Sequence, residues 1–343
     1  MTKQSDERAI FELDLDALKN NVDHFRLLHP SHKILAVVKA DFYGHGERIY
    51  EAIENKIDCL GVATVEEGIR LRKISDKPIL LLGYVPESRY PFLLSHRLTA
   101  TVYSEEVASS LDRFASSVRA YLPVHLKINT GMNRLGVRYS DEDSFKKIFS
   151  CERLCFEGVF THFATAFDPF YALQKERFLS CLSSFKRAGR TFEYIHACST
   201  VPSGERVAVG NTLRIGYGLF GYGDPALSPV LTVRARVVQV NTLFKGEKLG
   251  YGLTYQADDM KKIVTVSFGY ADGYPRDLSN KGKVLYNGVF LPVVGRVCMD
   301  YLFADGTGTD IKTGDYVTIL GKDLPADTLG FGYEILCKMG RKE

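Results

Sequence analysis

Several apolar, strand-like runs in this chain end on residues that can do chemistry: Lys39, Lys127 with Asn129 and Arg134, His162, His196 with Thr200, and Arg214. The ILAVV run before Lys39 is nearly uniform, as in a buried strand. A lysine at its end enters the mouth of the structure, where burial would lower its pKa and free the amine as nucleophile or base. A lysine there also commonly reaches out to solvent, and the position alone leaves both readings open. The residues that follow, Ala40-Asp41-Phe42-Tyr43-Gly44-His45-Gly46, place a phenol and two glycines beside the amine. Glycine lets backbone approach a ligand closely, and this combination suits an anion-bearing cofactor. His162 and His196 are read as supporting residues, because a histidine closing a strand is more often a hydrogen-bonded scaffold group than a catalyst. An unaided Arg214 would be read as a strand-end salt bridge.

The elements that must position these groups are legible from periodicity. Between about residues 30 and 220, eight short β-rich runs (KILAVVKA, CLGVAT, PILLLGY, LTATVY, YLPVHLKIN, FEGVFTHF, YIHACS, TLRIGYG) alternate with amphipathic stretches. That number of parallel βα units closes a (β/α)8 barrel, whose chemistry sits at the carboxyl ends of its strands. Beyond Ser228 the texture alternates in strand period with Gly, Asp and Asn turns, and Asn287-Gly288 marks a tight hairpin. The expectation is an α/β chain with a strand over 1–12 that could belong to either domain, a (β/α)8 TIM barrel over 13–225, and an all-β domain over 226–343. The chain's 343 residues exceed a single ordinary domain of about 150. Gly216 to Gly221 fits GxGxxG, but a dinucleotide fingerprint must open a helix, and the prolines and turn that follow argue against one.

Composition narrows the function classes. Lys and Arg number 44 against 41 Asp and Glu, a net +3, with 25% charged and 45% hydrophobic residues, the balance of a soluble globular protein rather than a nucleic-acid binder. No run of about 18 apolar residues occurs and the amino terminus is charged, so a cytoplasmic protein without membrane attachment is expected. The seven cysteines form no CxxC pair and the eight histidines no HExxH, so reduced thiols and no metal are expected.

The segment AVVKADFYGHG resembles the pyridoxal-phosphate lysine motif of alanine racemases. The resemblance continues through LKINTGMNRLG (126–136), FTHFATA (160–166), IHACST (195–200), LRIGYGLFGYG (213–223), LGYGLTY (249–255), FGYADGYPR (268–276) and GRVCMDYLFAD (295–305). It implies a pyridoxal-phosphate barrel of fold type III followed by a β domain. By the resemblance Lys39 carries the cofactor and exchanges the substrate Cα proton on one face, while Tyr251 is the base on the other. A racemase needs two such bases, because a single group returning the proton to its own face would regenerate the starting enantiomer. Arg214 is implied as partner of the pyridine nitrogen. Guanidinium keeps its proton, leaving that nitrogen unprotonated and favouring reprotonation over transamination. Arg134 matches the arginine at the cofactor phenolic oxygen and substrate carboxylate, and Lys127 a lysine often carried as a carbamate that orients it. The Tyr43 and Thr200 hydroxyls and the Gly216 and Tyr217 N–H groups match the phosphate donors. Met299 matches a backbone contact to the substrate carboxylate from a partner subunit, so a homodimer with shared sites is implied. Tyr270, Arg276 and Arg296 resemble a positive entry corridor for a small amino acid.

The chain departs from the family pattern at Phe42, where a small residue is usual and a ring would narrow the pocket. Cys198, Ser199 and Thr200 also differ, as does Phe167 in the corridor, and no tyrosine follows Tyr333, where relatives carry a pocket tyrosine. The expected activity is interconversion of L- and D-alanine, supplying D-alanine to cell-wall synthesis in a bacterial host. A serine or broad small-amino-acid racemase is the alternative. A basic amino-acid decarboxylase is disfavoured by Arg214, and a non-catalytic pyridoxal-phosphate binder by retention of both Lys39 and Tyr251.

Overall fold

The described residues of this computed structural model, 7–165, 169–197 and 209–339, open with a strand, Ala9–Leu13 (β1), and a helix, Leu15–Leu28 (α1). The texture then changes. Lys33–Val37 (β2), Cys59–Val62 (β3), Ile79–Leu81 (β4) and Leu98–Val102 (β5) are buried almost without interruption. Continuous burial is what parallel strands covered on both faces require. Leu122–Asn129 (β6), Leu154–Phe160 (β7), Tyr194–His196 (β8) and Thr212–Ile215 (β9) complete a parallel ring in the order β9-β2-β3-β4-β5-β6-β7-β8. Hydrogen bonds between Ile195 and Asn211, 2.8 and 3.0 Å long, nearly close it. The eight runs read from periodicity are these eight strands.

Local sequence starts the intervening helices. Val65–Arg72 (α2) has a capping box in which Thr64 and Glu67 bond each other's backbone N–H. Ser104 caps Glu105–Ser117 (α3) and Asp141 caps Glu142–Phe149 (α4) through N–H groups in the first turn. Phe170–Arg187 (α5) turns Phe178, Cys181 and Phe185 inward. The Gly216–Gly221 stretch opens only a 3-10 turn over Tyr217–Phe220.

The chain divides into two compact units, Lys19–Phe42 with Glu47–Leu227, and Met1–Leu18 with Tyr43–Gly46 and Ser228–Glu343. The second is built on an antiparallel sheet. Leu231–Leu243 (β10), a long bent strand, pairs through its first half with Tyr316–Leu320 (β15) and through its second with Lys261–Val266 (β11). Lys283–Tyr286 (β12), Val289–Pro292 (β13) and Leu302–Asp305 (β14) complete the order β13-β12-β15-β10-β11-β14. Asn287 and Gly288 join β12 to β13 with φ of 46° and 81°, the left-handed pair a primed hairpin turn requires. β1 pairs antiparallel with β10, Leu13 opposite Leu231, and so belongs to this sheet. The unit is not purely β. Gly332–Met339 (α6) is a helix, and Gly273, at φ 103°, accommodates it because a Cβ would sit 2.8 Å from the Lys338 backbone.

Candidate active site

Directly after β2 the backbone enters a left-handed turn. Ala40, Asp41, Phe42 and Tyr43 all have φ between 51° and 54°. The left-handed conformation costs an L-residue roughly 1–2 kcal/mol, so four in succession must be held by their surroundings. Phe42 is fully buried, and Glu67, besides closing the α2 capping box, accepts the Ala40 N–H at 2.7 Å. The turn presents Lys39 at one end and Tyr43 at the other. One expectation is corrected here and one open reading is decided. Phe42 is packed in the interior rather than narrowing an open pocket, since its ring anchors the turn. Lys39 is exposed, since it lies one residue past the last buried position of the run.

The buried amine is instead Lys127, on β6. Burial first, then the charges of Arg134 and Arg214, lower its pKa to about 8. Arg134 is exposed on a loop folded around Asn129, whose Oδ1 accepts the N–H groups of Gly131 and Asn133 at 3.1 and 3.0 Å. Arg214, on β9, is buried and held from several sides. Its Nη1 donates to His196 Nδ1 at 2.7 Å and to the His196 carbonyl at 3.1 Å. Its Nη2 faces the carbonyls of Thr161 and Ala197 at 2.9 and 3.0 Å and His162 Nδ1 at 3.2 Å. Burial, and then Arg214, keep His162 neutral, its pKa lowered to about 3, with Arg134, Lys127 and Lys39 adding in the same direction. Four cationic side chains thus converge electrostatically on one histidine. Lys39, Lys127 and Arg134 form no ion pair among the described residues. Unneutralised positive charge in a partly dry site is chemistry that calls for anions.

Sequence reasoning missed three contributors. Phe160, on β7, stacks on His196 with centroids 4.7 Å apart and has Lys127 and Arg214 within 5.5 and 5.4 Å of its ring. Glu67 was detectable as a capping residue, though not its reach to Ala40. His125 lies two residues before Lys127 and therefore on the same strand face, a period-two signal that could have found it. His125 Nδ1 is 2.9 Å from His196 Nε2. Gly158 makes room for it, since a Cβ there would lie 2.5 Å from His125 Nδ1. Gly158→Ala is expected to destabilise the protein by about 1–3 kcal/mol through overpacking. An unchanged urea-denaturation midpoint would refute that.

Most of the remaining sequence candidates lie in the β unit, while Gly216 and Tyr217 lie in the barrel unit and a few fall outside the described residues. Tyr251 is 72% exposed, flanked by Gly250 and Gly252. Gly252 packs on the Arg296 guanidinium, the Cys298 thiol contacts the Arg296 carbonyl, and the Tyr270 and Ala271 N–H groups bond the Cys298 and Met299 carbonyls at 3.0 Å. Arg276 sits 6.0 Å above the Tyr270 ring. Tyr251, Tyr270, Arg276, Arg296 and Met299 are therefore gathered by one loop system. Tyr43 sets its ring 5.8 Å from Tyr333. Gly216 and Tyr217 are buried at the start of the 3-10 turn. Thr200, with Phe167, Cys198 and Ser199, lies outside the described residues.

Comparison with known proteins fits this arrangement. Family models described as the alanine racemase N-terminal and C-terminal domains match residues 13–224 and 230–342. A curated alanine racemase of Bacillus subtilis is 38% identical, the match covering 92% of this chain and 86% of the relative. The solved alanine racemase of Clostridium difficile superposes with a TM-score of 0.88 at 31% identity, over 97% of this chain and 94% of that one. The alanine racemase of Bartonella henselae, solved with covalently bound pyridoxal phosphate, superposes with a TM-score of 0.87 at 26% identity, over 98% of both chains.

Proposed function

The chain belongs to the alanine racemase family of pyridoxal-phosphate-dependent isomerases, and we propose that it interconverts L- and D-alanine with Lys39 and Tyr251 as the two proton-transferring bases. The observation that carries the reading is the cluster of Lys39, Lys127, Arg134 and Arg214 around a neutral His162. It suits a ligand bearing phosphate, a phenolic oxygen and a carboxylate. The cofactor, when bound, supplies an electron sink that makes the substrate Cα proton acidic.

The chain's own residues do the rest. Lys39 would hold the cofactor covalently and take or return the Cα proton at its Nζ on one face. Tyr251 Oη would do so on the other. Arg214, held by neutral histidines and backbone carbonyls, would meet the pyridine nitrogen as a donor that does not surrender its proton. Tyr43, Thr200, Gly216 and Tyr217 would hold the phosphate. Arg134 and the Met299 backbone would orient the substrate carboxylate, with Tyr270, Arg276 and Arg296 along its approach. Lys127, with much of its amine uncharged near pH 8, is suited to add to carbon dioxide with loss of a proton. The resulting carbamate anion would be stabilised by the two arginines that destabilise the ammonium.

The exposure of Tyr251 and Met299 on the single chain favours a homodimer in which each barrel is completed by its partner. This predicts complementation. Lys39→Ala and Tyr251→Phe proteins, each nearly inactive, are unfolded, mixed in equal amounts and refolded together. Half of the dimers then carry one intact composite site, and about a quarter of wild-type activity should return. No recovery in verified mixed dimers would place both bases on one chain. Assays with L-alanine and L-serine separate an alanine racemase from a broader one.

A further inference from the structure

His125 takes no part in the mechanism above, yet the hydrogen bonds around it leave only one way to place the protons. Arg214 Nη1 bears only N–H donors, so the 2.7 Å contact makes His196 Nδ1 an acceptor. A neutral His196 then carries its proton on Nε2, and that atom is 2.9 Å from His125 Nδ1. Two ring nitrogens at this distance share one proton. His196 Nε2 must donate it and His125 Nδ1 accept it, which puts the His125 proton on Nε2. The reverse order would set a proton on His196 Nδ1 directly against the Arg214 N–H. Protonating either ring would bring donor against donor, and both rings are buried with the Arg214 charge nearby, so both remain neutral.

Packing holds the His125 ring in this orientation. It stacks on Tyr194 at 5.3 Å and 28°, while its other surroundings include the close backbone of Gly158. His196 is fixed by its own stack on Phe160 at 4.7 Å and 9°. The relay therefore runs from β6 through β8 to β9 in rings that cannot turn without losing a stack.

We propose that His125 is a positioning residue for Arg214. By accepting the His196 Nε2 proton it holds His196 in the one tautomer whose Nδ1 can accept from Arg214, and so fixes the plane of the guanidinium. The consequence for turnover rests on the racemase reading; the tautomers do not. A comparable loss of an orienting partner behind a histidine costs about tenfold or more. Because Arg214 is not assigned a substrate contact, the cost should fall on kcat and leave KM for alanine nearly unchanged.

The test is made on holoenzyme labelled with 15N-histidine. Long-range 15N–1H correlation spectra should show His125 and His196 both as Nε2–H tautomers. His125→Asn keeps an acceptor near the position of Nδ1, whereas His125→Phe keeps the ring volume and removes it. The Asn variant should retain the His196 Nε2–H signature and most of kcat. The Phe variant leaves the His196 Nε2–H without its acceptor, so that proton resonance should shift upfield and broaden, and kcat should fall about tenfold at constant KM. A wild-type His196 protonated on Nδ1 would overturn the proposal even if His125→Phe does not fold. Equal kcat in the Asn and Phe variants would overturn the positioning role. If the protein racemised no alanine, the functional reading would fall, while the wild-type spectrum would still decide for or against the relay.

Discussion

Lys39→Ala should lower kcat for racemisation roughly a thousandfold or more in both directions, because in the proposed mechanism one side chain serves as cofactor attachment and as one of the two bases. The measurement is D-isomer formed from L-alanine, and the reverse, at saturating cofactor. A second readout separates this from a folding defect. Borohydride should fix cofactor to the wild-type chain and not to the variant, whose thermal transition should be close to wild type because Lys39 is exposed. The left-handed turn that carries Lys39 is anchored elsewhere, by Phe42 and by the Glu67 bond to Ala40. A Lys39→Ala protein within tenfold of wild-type activity would remove Lys39 from the mechanism.

Tyr251→Phe has the second large expected effect, and its signature is asymmetric. Racemisation should fall by about 10²- to 10⁴-fold, the usual contribution of a positioned acid or base. The Lys39 face is intact in this variant. In heavy water one enantiomer of alanine should therefore still exchange its Cα proton for deuterium without inverting, while exchange of the other enantiomer is lost. Proton NMR of the Cα resonance, with chiral analysis of the product, resolves the two. Equal slowing of exchange for both enantiomers would be incompatible with two bases on opposite faces. Structural damage is a poor explanation for any loss at this position, since the Tyr251 side chain is largely exposed on the chain and flanked by glycines.

Most of the architecture could be read from the order of residues. The barrel strands show because parallel strands buried on both faces must be apolar throughout, and β2 to β5 are so. The hairpin at Asn287-Gly288 shows because few residue pairs tolerate two positive φ angles in succession. The placement of β1 was not legible. Its residues satisfy either sheet, and pairing with β10 is a contact more than two hundred positions away in sequence. Helix α6 was missed inside a region read as all-β, because a single short helix changes the local period too little to stand out.

For the site, the sequence supplied the candidate groups: Lys39 at the end of an apolar run, and Tyr251, Arg134 and Arg214 through motifs that resemble those of alanine racemases. Motifs are properties of the chain order, so naming these candidates needed no coordinates. Burial and proton position were decided only by tertiary structure. Of the two lysines, Lys39 lies past the end of its strand and is exposed, while Lys127 lies within its strand and is buried. The His125–His196–Arg214 relay joins side chains 71 and 18 positions apart. Desolvation and hydrogen-bond direction depend on what surrounds an atom in space, and the closing of the barrel is what brings those neighbours together.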